Sequence, residues 1–578
     1  MTRFIFVAGG VISGVGKGVA TASLGKIIKE HGYTTTLIKI DPYINYDAGT
    51  LRPTEHGEVW VTDDGGEIDQ DLGTYERFLD QDIPKQNNIT TGQIYKAVID
   101  RERRGDYLGQ TVQFVPHIVD EVKQRIIKAA AGYDIAIIEM GGTVGDYENV
   151  PYMFAMKAIE RELGKDSVAY ILVTYLPIPG HIHEMKTKPT QQAIRLMGQE
   201  GIYPDFILCR SQQALDEVRK KKIEVFANIN VDRIISAPDL ASIYQMPLNL
   251  EKEKLGEKIL AHFGLTSLKA PNLTAWQKLV TAITTPAQKV SIAIVGKYLD
   301  LGDYSLIDSY VSIYQAIAHA GAQLNVGIDI TWINAVEFEK NPEQLHKLAQ
   351  FSGIIVPGGF GQVGVEGKIA AIEYARTNNI PYLGLCYGMQ LAVVEFARHV
   401  VGLQGAHTTE VDKQANHPVI DLLPEQRQTM ASGDLGGTMR LGSYKATVKL
   451  DSHVAKLYEE CGRISSDEGV MTVHERHRHR YEVNPLYVQQ IETHGASFSG
   501  YHERADGTTL MEFFELPEHR FFVSTQAHPE FKSRLGNPSP LFFGFMRAVR
   551  DYAVECKQKQ NVEEAMPIRA DKITELSL

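Results

Sequence analysis

The run FIFVAGGVISGVGKG, residues 4–18, decides the fold of the first half of the chain. Its first five residues are apolar and predict a buried strand, the glycines predict a tight turn, and the spacing over 21–31 predicts a helix. A strand that leads through glycines and Lys17 into a helix presents backbone N–H groups to an anion. We interpret the run as a phosphate-binding loop. It departs from the G-x-x-x-x-G-K-[ST] pattern because Gly18 follows Lys17, and a glycine-rich surface turn is the alternative.

Short apolar runs alternate with stretches of helical spacing along the chain. The apolar runs lie at 4–8, 34–40, 135–140, 168–175, 206–209 and 233–236, and later at 290–297, 353–356, 381–385 and 520–525. Strands that alternate with helices predict parallel, doubly wound sheets. We therefore expect an α/β protein with two doubly wound domains and mostly parallel sheets, the first of them P-loop-like.

The pattern weakens between the two halves. Residues 267–289 contain Pro271 and Pro286 and no clear strand. We expect a first domain at 1–266, a linker at 267–289, a second domain at 290–554 and a polar, mobile tail at 555–578.

Composition excludes several classes of protein. The net charge of −12 argues against non-specific binding to nucleic acid. The four cysteines (Cys209, Cys386, Cys461 and Cys556) are far apart and form no metal or disulfide pattern. We expect a reducing, cytoplasmic location. No stretch is apolar enough to predict a membrane span or a secretory leader.

The second half contains GLCYG, residues 384–388, between an apolar strand and a helical stretch at 389–400. This is the setting of a nucleophile elbow, in which glycines permit a strained turn that exposes the cysteine. The N-terminus of the next helix then favours the thiolate. We predict that Cys386 is a nucleophile; a buried, inert cysteine is the alternative.

A base and an oxyanion hole are also predicted near this cysteine. His528 and Glu530 follow the strand 520–525, and on an extended segment both side chains would project to one face. Glu530 would then orient the imidazole, as in a catalytic triad. The loop PGGFG, residues 357–361, would place the N–H of Gly359 beside that of Tyr387 as an oxyanion hole. A solvated His-Pro-Glu turn and a plain glycine turn are the alternatives.

Two carboxylates are candidate Mg²⁺ ligands in the first half. Asp71 lies in a polar turn and Glu139 ends the apolar run 135–138. The carboxyl end of a strand is where doubly wound sheets bind ligands, and carboxylates suit Mg²⁺. The cluster KTKPTQ, residues 186–191, has two lysines and two hydroxyl groups that would suit a triphosphate. A solvated basic loop is its alternative.

Cys386, His528, Glu530 and the Pro-Gly-Gly loop resemble the class I glutamine amidotransferases over about 290–553. Longer motifs, from about residue 4 to 553, resemble the CTP synthase family. They are SGVGKG (13–18), KIDPYIN (39–45), HGEV (56–59), ERRGDYLG (102–109), GGTVGD (141–146), KTKPTQ (186–191) and ERHRHRYEVN (475–484).

The resemblance implies an activity and a set of sites. CTP synthases use ATP to phosphorylate uracil O4 of UTP, and ammonia from glutamine displaces the phosphate. The ATP residues would be Gly14, Val15, Gly16, Lys17, Gly18, Val19, Lys39, Asp71 and Leu240, with Asp71 and Glu139 on Mg²⁺. The UTP or CTP residues would be Ser13, Asp146, Tyr147, Glu148, Asn149, Lys186, Thr187, Lys188, Pro189, Thr190, Gln191 and Lys222. Glutamine would be held by Gly359, Tyr387, Gly388, Met389, Gln390, Glu410 and Arg480.

The resemblance also implies regulation and assembly. GTP would activate the enzyme, CTP would inhibit it, and the chain would form homotetramers and filaments, with no organic prosthetic group. Val363 stands where the family commonly has arginine, which leaves the response to GTP open. The alternatives are another fused amidotransferase, of the cobyric acid synthase type, and a filament-forming protein that has lost its activity.

Overall fold

The computed structural model describes residues 1–52, 56–297, 300–301, 304–305, 307–423, 426, 436–467 and 469–565. Part of the expected tail, residues 566–578, lies outside the described residues.

The first half alternates strands and helices from its first residues. Its strands are β1 Arg3–Gly9, β2 Thr35–Asp41, β3 Val59–Val61, β4 Glu67–Asp69, β5 Asn88–Thr90, β6 Ile135–Met140, β7 Val168–Tyr175, β8 Phe206–Ser211 and β9 Ile234–Pro238. Its helices are α1 Lys17–Glu30, α2 Asp71–Leu79, α3 Thr91–Arg104, α4 Val119–Ala130, α5 Val150–Leu163, α6 Lys188–Gln199, α7 Glu217–Ala227, α8 Met246–Lys252, α9 Leu255–His262 and α10 Thr274–Thr284.

The second half begins with another long strand. Its strands are β10 Gln288–Gly296, β11 Asp300–Leu301, β12 Tyr304–Ser305, β13 Val326–Asn334, β14 Gly353–Val356, β15 Tyr382–Leu385, β16 Ala406–Thr408, β17 His417–Leu422, β18 Arg440–Val448, β19 Ser465–Asp467, β20 Val470–His479, β21 Tyr481–Val483, β22 Ser497–Glu503, β23 Thr509–Glu515 and β24 Phe522–Thr525. Its helices are α11 Val311–Leu324, α12 Ala335–Lys340, α13 Val365–Thr377, α14 Tyr387–His399, α15 His453–Glu460, α16 Pro485–Thr493 and α17 Pro540–Ala565.

The first sheet has the strand order β5-β2-β6-β1-β7-β8-β9, and its neighbouring strands pair in parallel. Alternate residues of β1 enter different cores: Ile5 and Val7 pack on one face, and Phe4, Phe6 and Ala8 pack on the other. A strand buried on both faces is a continuous apolar run rather than an alternating one. The predicted doubly wound α/β fold is confirmed here.

The second sheet is mixed. Strands β13, β10, β14, β15 and β24 are parallel, and the order continues through β23, β22, β18, β20 and β19 with antiparallel pairing. The α/β class is therefore confirmed for this half, but its sheet is only half parallel. The antiparallel strands carry polar residues at many positions, so no continuous apolar run marks them in the sequence.

Two segments differ from the expected organisation. Helix α10 occupies 274–284, within the stretch that we expected to be a linker. The helix α17 continues to Ala565, past the expected start of the tail at 555.

The two halves pack closely against each other. Ala322, Phe531 and Leu535 of the second half belong to the same hydrophobic cluster as the α1 side of the first half. Arg476 Nη1 donates to Glu76 Oε2 at 2.9 Å across the interface, and both side chains are fully buried. Breaking a buried pair of this kind costs roughly 3–5 kcal/mol because one charge is left alone. Among the described residues, no helix is long and apolar enough to cross a membrane.

Candidate active sites

The strand register builds the first site. Lys39 of β2 lies beside Glu139 of β6, and both residues are near the carboxyl ends of their strands. Lys39 Nζ is 3.1 Å from Glu139 Oε1 and donates a short bond to Asp71 at the start of α2. Although burial opposes a charge on it, Asp71 and Glu139 keep the pKa of Lys39 well above its ordinary value. Three residues predicted from separate motifs therefore form one contact.

Two further carboxylates and a phenol, which were not predicted from the sequence, lie at this site. Asp41 Oδ1 is 3.8 Å from Lys39 Nζ, and Asp69 Oδ1 accepts from the N–H of Asp71 at 3.3 Å. Burial and the neighbouring Asp71 raise the pKa of Asp69 to about 8. Tyr75, on the next turn of α2, donates a short bond to Glu139. Only the periodicity of α2, which places Tyr75 one turn after Asp71, carried any signal for these groups.

The donor set fits a divalent cation. Asp41, Asp69, Asp71 and Glu139 oppose only Lys39 and Lys17 within the cluster. A net excess of carboxylate oxygens is the environment that Mg²⁺ prefers. Burial raises the pKa of Glu139, and although Lys39 opposes this shift, the neighbouring Asp71 adds to it.

The phosphate-binding loop needs glycine for two reasons: a positive φ at some positions and close packing against a side chain at another. Gly14 and Gly16 have φ of 72° and 91°. A Cβ at position 18 would lie 2.6 Å from Asp71 Oδ1, which explains why no serine or threonine follows Lys17. Lys17 Nζ donates to Gly142 O at 2.7 Å and so joins this loop to the loop after β6. Burial lowers the pKa of Lys17.

The predicted UTP residues lie on segments that meet around this loop. In the loop after β6, Thr143 N donates to Asp146 at 2.7 Å, and Asn149 Nδ2 donates to Gly141 O at 3.1 Å. Ser13, Tyr147 and Glu148 are exposed beside them.

The cluster 186–191 is not a loop throughout. Helix α6 begins at Lys188, with Pro189 in its first turn, so the expected basic loop ends in a helix N-terminus. Pro is suited to this position because its missing N–H has no partner within a helix there. The buried Thr190 hydroxyl is 3.0 Å from that of Thr174. Lys186 pairs with Glu184 at 2.7 Å, and Thr187 accepts weakly from Gln191 at 3.4 Å.

Two further predicted nucleotide residues lie outside the loops described so far. Leu240 follows β9 and packs against the core on the α1 side of the sheet. Lys222, on α7, lines an open groove with Gln191, and the exposed Val218 and Val225 form its apolar wall.

The second site is built on a strained elbow. Cys386 lies between β15 and α14 with φ 49° and ψ −102°, and its N–H donates to Thr525 O at 2.7 Å. Any Cβ on Gly388 would collide with Val356 O, so the close turn requires glycine there. A non-glycine residue at positive φ costs roughly 1–3 kcal/mol and is typical of functional sites. The predicted nucleophile elbow is present.

The register of β15 and β24 brings His528 to Cys386. Leu385 pairs with Thr525, so the two chain segments leave the sheet side by side. His528 Nδ1 is 2.7 Å from Glu530 Oε1. The prediction that His528 and Glu530 lie on an extended segment is wrong, because Pro529–Lys532 is a 3₁₀ turn. Burial disfavours the imidazolium, but Glu530 and Cys386 outweigh it and raise the pKa of His528 to about 10.

Gln526 is a neighbour of the sulfur that the sequence analysis missed. Its Nε2 donates to Cys386 Sγ at 3.7 Å. Its Oε1 accepts from Gln390 Nε2 at 3.2 Å, and Gln390 also donates to Tyr481 O at 2.8 Å. Gln390 therefore connects Gln526, which contacts the sulfur, to the backbone of β21. Met389 is wholly buried in the domain core.

The remaining predicted glutamine residues are held by hydrogen bonds: Glu410 and Tyr387 bind the loop 357–361, and Arg480 lines a separate cavity with Arg440 and Tyr444. Glu410 accepts a short bond from the N–H of Gly361, in the loop that also contains Gly359. Tyr387 hydroxyl donates to Gly361 O at 3.2 Å. Arg480 donates to Gln426 and to Thr438, each at 2.9 Å.

A cavity joins the second site to the first half of the chain. It has a volume of about 260 Å³ and is lined by the triad together with first-half residues. The latter are Gly49, Leu51, Glu58 and Val59. Glu58 accepts from the N–H of Ser312 at 2.9 Å, and burial raises its pKa to about 7. Cys386, His528 and Glu530 therefore face the first half of the chain.

Lys368 is an unusual buried cation near the elbow. Its side chain is fully buried, and its Nζ has no hydrogen-bond partner among the described residues. It lies 5.4 Å from the centroid of the Tyr387 ring. Burial and the neighbouring Lys297 lower the pKa of Lys368 from 10.5 to about 7.

Replacing Lys368 by methionine is expected to stabilise the protein by about 2 kcal/mol at pH 7. The folded state binds the proton of the Lys368 ammonium less tightly than the unfolded state does. Lys368 therefore lowers the free energy of unfolding by its full amount below pH 7, and by less as the pH rises towards 10.5. Urea unfolding of both proteins at pH 6, 7, 8 and 10 should show a gap that shrinks at the highest pH. The exposed Lys347→Met is the control. An unchanged gap at pH 10 would contradict the prediction.

Comparisons with known proteins show the family of each half of the chain. Residues 3–265 match the family described as CTP synthase N-terminus, and residues 305–548 match glutamine amidotransferase class-I. A CTP synthase from Pyrococcus abyssi is 49% identical over 555 residues, which is 96% of this chain and 99% of that protein. The chain belongs to the CTP synthase family.

Other CTP synthases extend the comparison. The one from Methanocaldococcus jannaschii is 48% identical over 551 residues, 94% of this chain and 98% of that protein. Among solved structures, the glutaminase domain of a Trypanosoma brucei CTPS with bound acivicin is 38% identical, with a TM-score of 0.40. It covers 45% of this chain and 94% of its own. The CTP synthase resemblance is confirmed, and the cobyric acid synthase alternative is not needed.

Proposed function

We propose that the chain converts UTP to CTP with glutamine as nitrogen donor and ATP as phosphoryl donor. The observation that carries the proposal is the cavity that joins Cys386, His528 and Glu530 to the first domain, because a passage between the two halves is what internal transfer of ammonia requires. ATP transfers its γ-phosphoryl group to uracil O4 and leaves as ADP. Ammonia then attacks C4, and phosphate leaves.

The glutaminase half follows from the triad. The Cys386 thiolate attacks the glutamine amide carbon, and the N–H groups of Tyr387 and Gly359 are proposed to hold the oxyanion. Protonated His528, oriented by Glu530, gives its proton to the departing ammonia. Water then hydrolyses the thioester to glutamate. Glutamine is proposed to bind through Glu410 and Arg480, with Gly388, Met389 and Gln390 at the elbow.

The phosphoryl-transfer half uses the charges at the carboxyl ends of β2 and β6. We propose that residues 14–19 and Leu240 hold ATP. Lys17 and Lys39 would offset negative charge on the transferring group. Mg²⁺, bound with ATP by Asp71 and Glu139, would neutralise triphosphate oxygens. The excess of carboxylates around Lys39 supports this assignment.

The loop after β6 and the start of α6 are proposed to bind UTP, or CTP as inhibitor. The residues are Ser13, Asp146–Asn149, Lys186–Gln191 and Lys222. The groove shared by Lys222 and Gln191 has exposed Val218 and Val225 on its wall. That apolar wall supports a homotetramer in which the nucleotide site is completed near a subunit interface. Activation by GTP, filament formation and a cytoplasmic location are proposed on family membership.

Internal passage of ammonia gives a sharp test. In water near neutral pH most ammonia is protonated and diluted, so direct passage raises the effective concentration of the nucleophile. The protein is supplied with UTP, ATP, Mg²⁺ and amide-¹⁵N glutamine, together with an equal concentration of unlabelled ammonium. We expect most of the CTP to carry ¹⁵N at its amino group, measured by mass spectrometry.

The control for this labelling is Cys386→Ala under the same conditions, which should incorporate only unlabelled nitrogen. A label fraction in CTP equal to that of the free ammonia pool would show that ammonia leaves the protein first. Formation of no CTP from either source would overturn the proposed reaction.

A further inference from the structure

The catalytic base of the glutaminase is in contact with the first domain through two aromatic rings. The His528 imidazole stacks on Phe531 with centroids 5.1 Å apart and planes at 15°. Phe531 in turn packs on Trp60 of β3, with centroids 4.9 Å apart. Both aromatic side chains are buried, so this contact lies inside the interface between the domains.

Trp60 is held rigidly on its other faces. The guanidinium carbon of Arg77 lies 4.8 Å from the indole centroid, and that of Arg476 lies 5.4 Å from it. Position 73 packs so closely on the indole that any Cβ there would collide with it, which requires glycine. Gly73 and Arg77 both belong to α2, the helix that begins at Asp71.

A second contact joins α2 to the same base. Glu76 of α2 accepts from the Arg476 guanidinium at 2.9 Å. The backbone O of Arg476 accepts from the N–H of His528 at 2.8 Å. The ring of His528 and its backbone are thus both tied to α2, one through aromatic packing and the other through a buried ion pair.

We propose that Trp60 is a positioning residue for glutamine hydrolysis: through Phe531 it holds the His528 imidazole in line with Cys386, and it ties that geometry to the helix that carries Asp71. The inference rests on the proposed role of His528 as proton carrier. Stacked rings prefer a narrow range of offsets, and small misplacements of a catalytic group cause large losses of rate. Among the described residues the indole N–H has no hydrogen-bond partner, so we infer that the shape of the ring, and not its polarity, positions His528.

The test compares Trp60→Leu and Trp60→Phe with Trp276→Leu, the loss of another buried indole, which lies on α10 and packs on Phe78 of α2 with centroids 5.5 Å apart. We expect Trp60→Leu to lower kcat for glutamine hydrolysis about tenfold or more, with KM within about twofold. Its pH–rate profile should shift, because the surroundings of His528 change. Trp60→Phe should restore most of the rate and the profile, and Trp276→Leu should change neither.

A readout of the α2 connection completes the test. The glutaminase rate is measured with and without ATP, UTP and Mg²⁺, and the ratio of the two rates is taken. In wild type this ratio should exceed one, and in Trp60→Leu it should fall to about one. A ratio of one in wild type, or the same ratio in both proteins, overturns the connection to α2. A wild-type kcat and pH profile in folded Trp60→Leu, or changes shared by Trp276→Leu, overturns the positioning role.

Two further measurements keep the test decisive. CTP synthesis from added ammonia reports whether each variant is folded. If Trp60→Leu does not fold, Trp60→Phe and Phe531→Leu are compared singly and together by the same criteria, and additive effects on kcat overturn the proposal. Full glutaminase activity in His528→Ala would instead show that the proposed role of His528 has failed.

Discussion

Replacing Cys386 by alanine is expected to lower CTP formation from glutamine at least about 10⁴-fold, while CTP formation from added ammonia stays within about twofold of wild type. Cys386 is the residue proposed to form the thioester with glutamine. Without it, neither His528 nor the oxyanion donors can generate ammonia at a useful rate. Ammonia from solution bypasses this step because the nucleotide site does not include the sulfur.

The measurement is CTP production by its absorbance change, with glutamine or ammonium chloride as nitrogen source. Cys461→Ala, in the same domain and away from the elbow, is the control and should retain both activities. Equal loss of both activities in folded Cys386→Ala would refute the separation into two sites. Full glutamine-dependent activity would refute the role of the cysteine.

Replacing Asp71 by asparagine is expected to impair CTP formation and to spare glutamine hydrolysis. CTP formation should fall about 100-fold or more with either nitrogen source, because asparagine offers Mg²⁺ a neutral and weaker ligand. Glutamine hydrolysis measured alone should persist within about threefold. The substitution keeps the size of the side chain and removes one charge from the cluster around Lys39.

Asp80→Asn is the matched control for this variant. It is the same substitution on an exposed residue at the C-terminal end of α2, where the left-handed φ of 50° suits asparagine as well as aspartate. It should leave both activities unchanged. If raising the Mg²⁺ concentration partly restores Asp71→Asn, the lost group is a metal ligand. If Asp71→Asn lost CTP formation from glutamine but kept CTP formation from added ammonia, the assignment of Asp71 to the nucleotide site would be contradicted.

The sequence singled out groups by features of the local chain. Cys386 and Glu139 end buried apolar runs, Lys17 follows a glycine turn, and the chemical roles of these residues stay predictions. Asp69 and Gln526 were missed because no local spacing marks them, whereas Asp41 ends β2 and Tyr75 lies one turn after Asp71 on α2. The His528–Glu530 contact was predicted for the wrong reason, because the proline that follows His528 starts a 3₁₀ turn.

The second sheet shows the same limit at the level of the fold. Parallel strands need crossover helices, so β10, β14 and β15 are visible as apolar runs separated by helical spacing. The antiparallel strands β18–β23 are held by pairs such as Arg440 with His479, and helices α15 and α16 lie in their connections without making the order parallel. Those strands are polar at many positions, and no continuous apolar run marks them.

The sequence by itself determined the strand–glycine–lysine–helix unit, the elbow at Cys386 and the family, because these depend on residues that are neighbours in the chain. The tertiary structure alone decided that Lys39 meets Glu139, 100 residues away, and that Gln526 meets Cys386, 140 residues away. It also decided that Trp60 packs behind the catalytic histidine. Strand register and domain packing set these distances, and both result from burial of apolar surface summed over the chain rather than from any local motif.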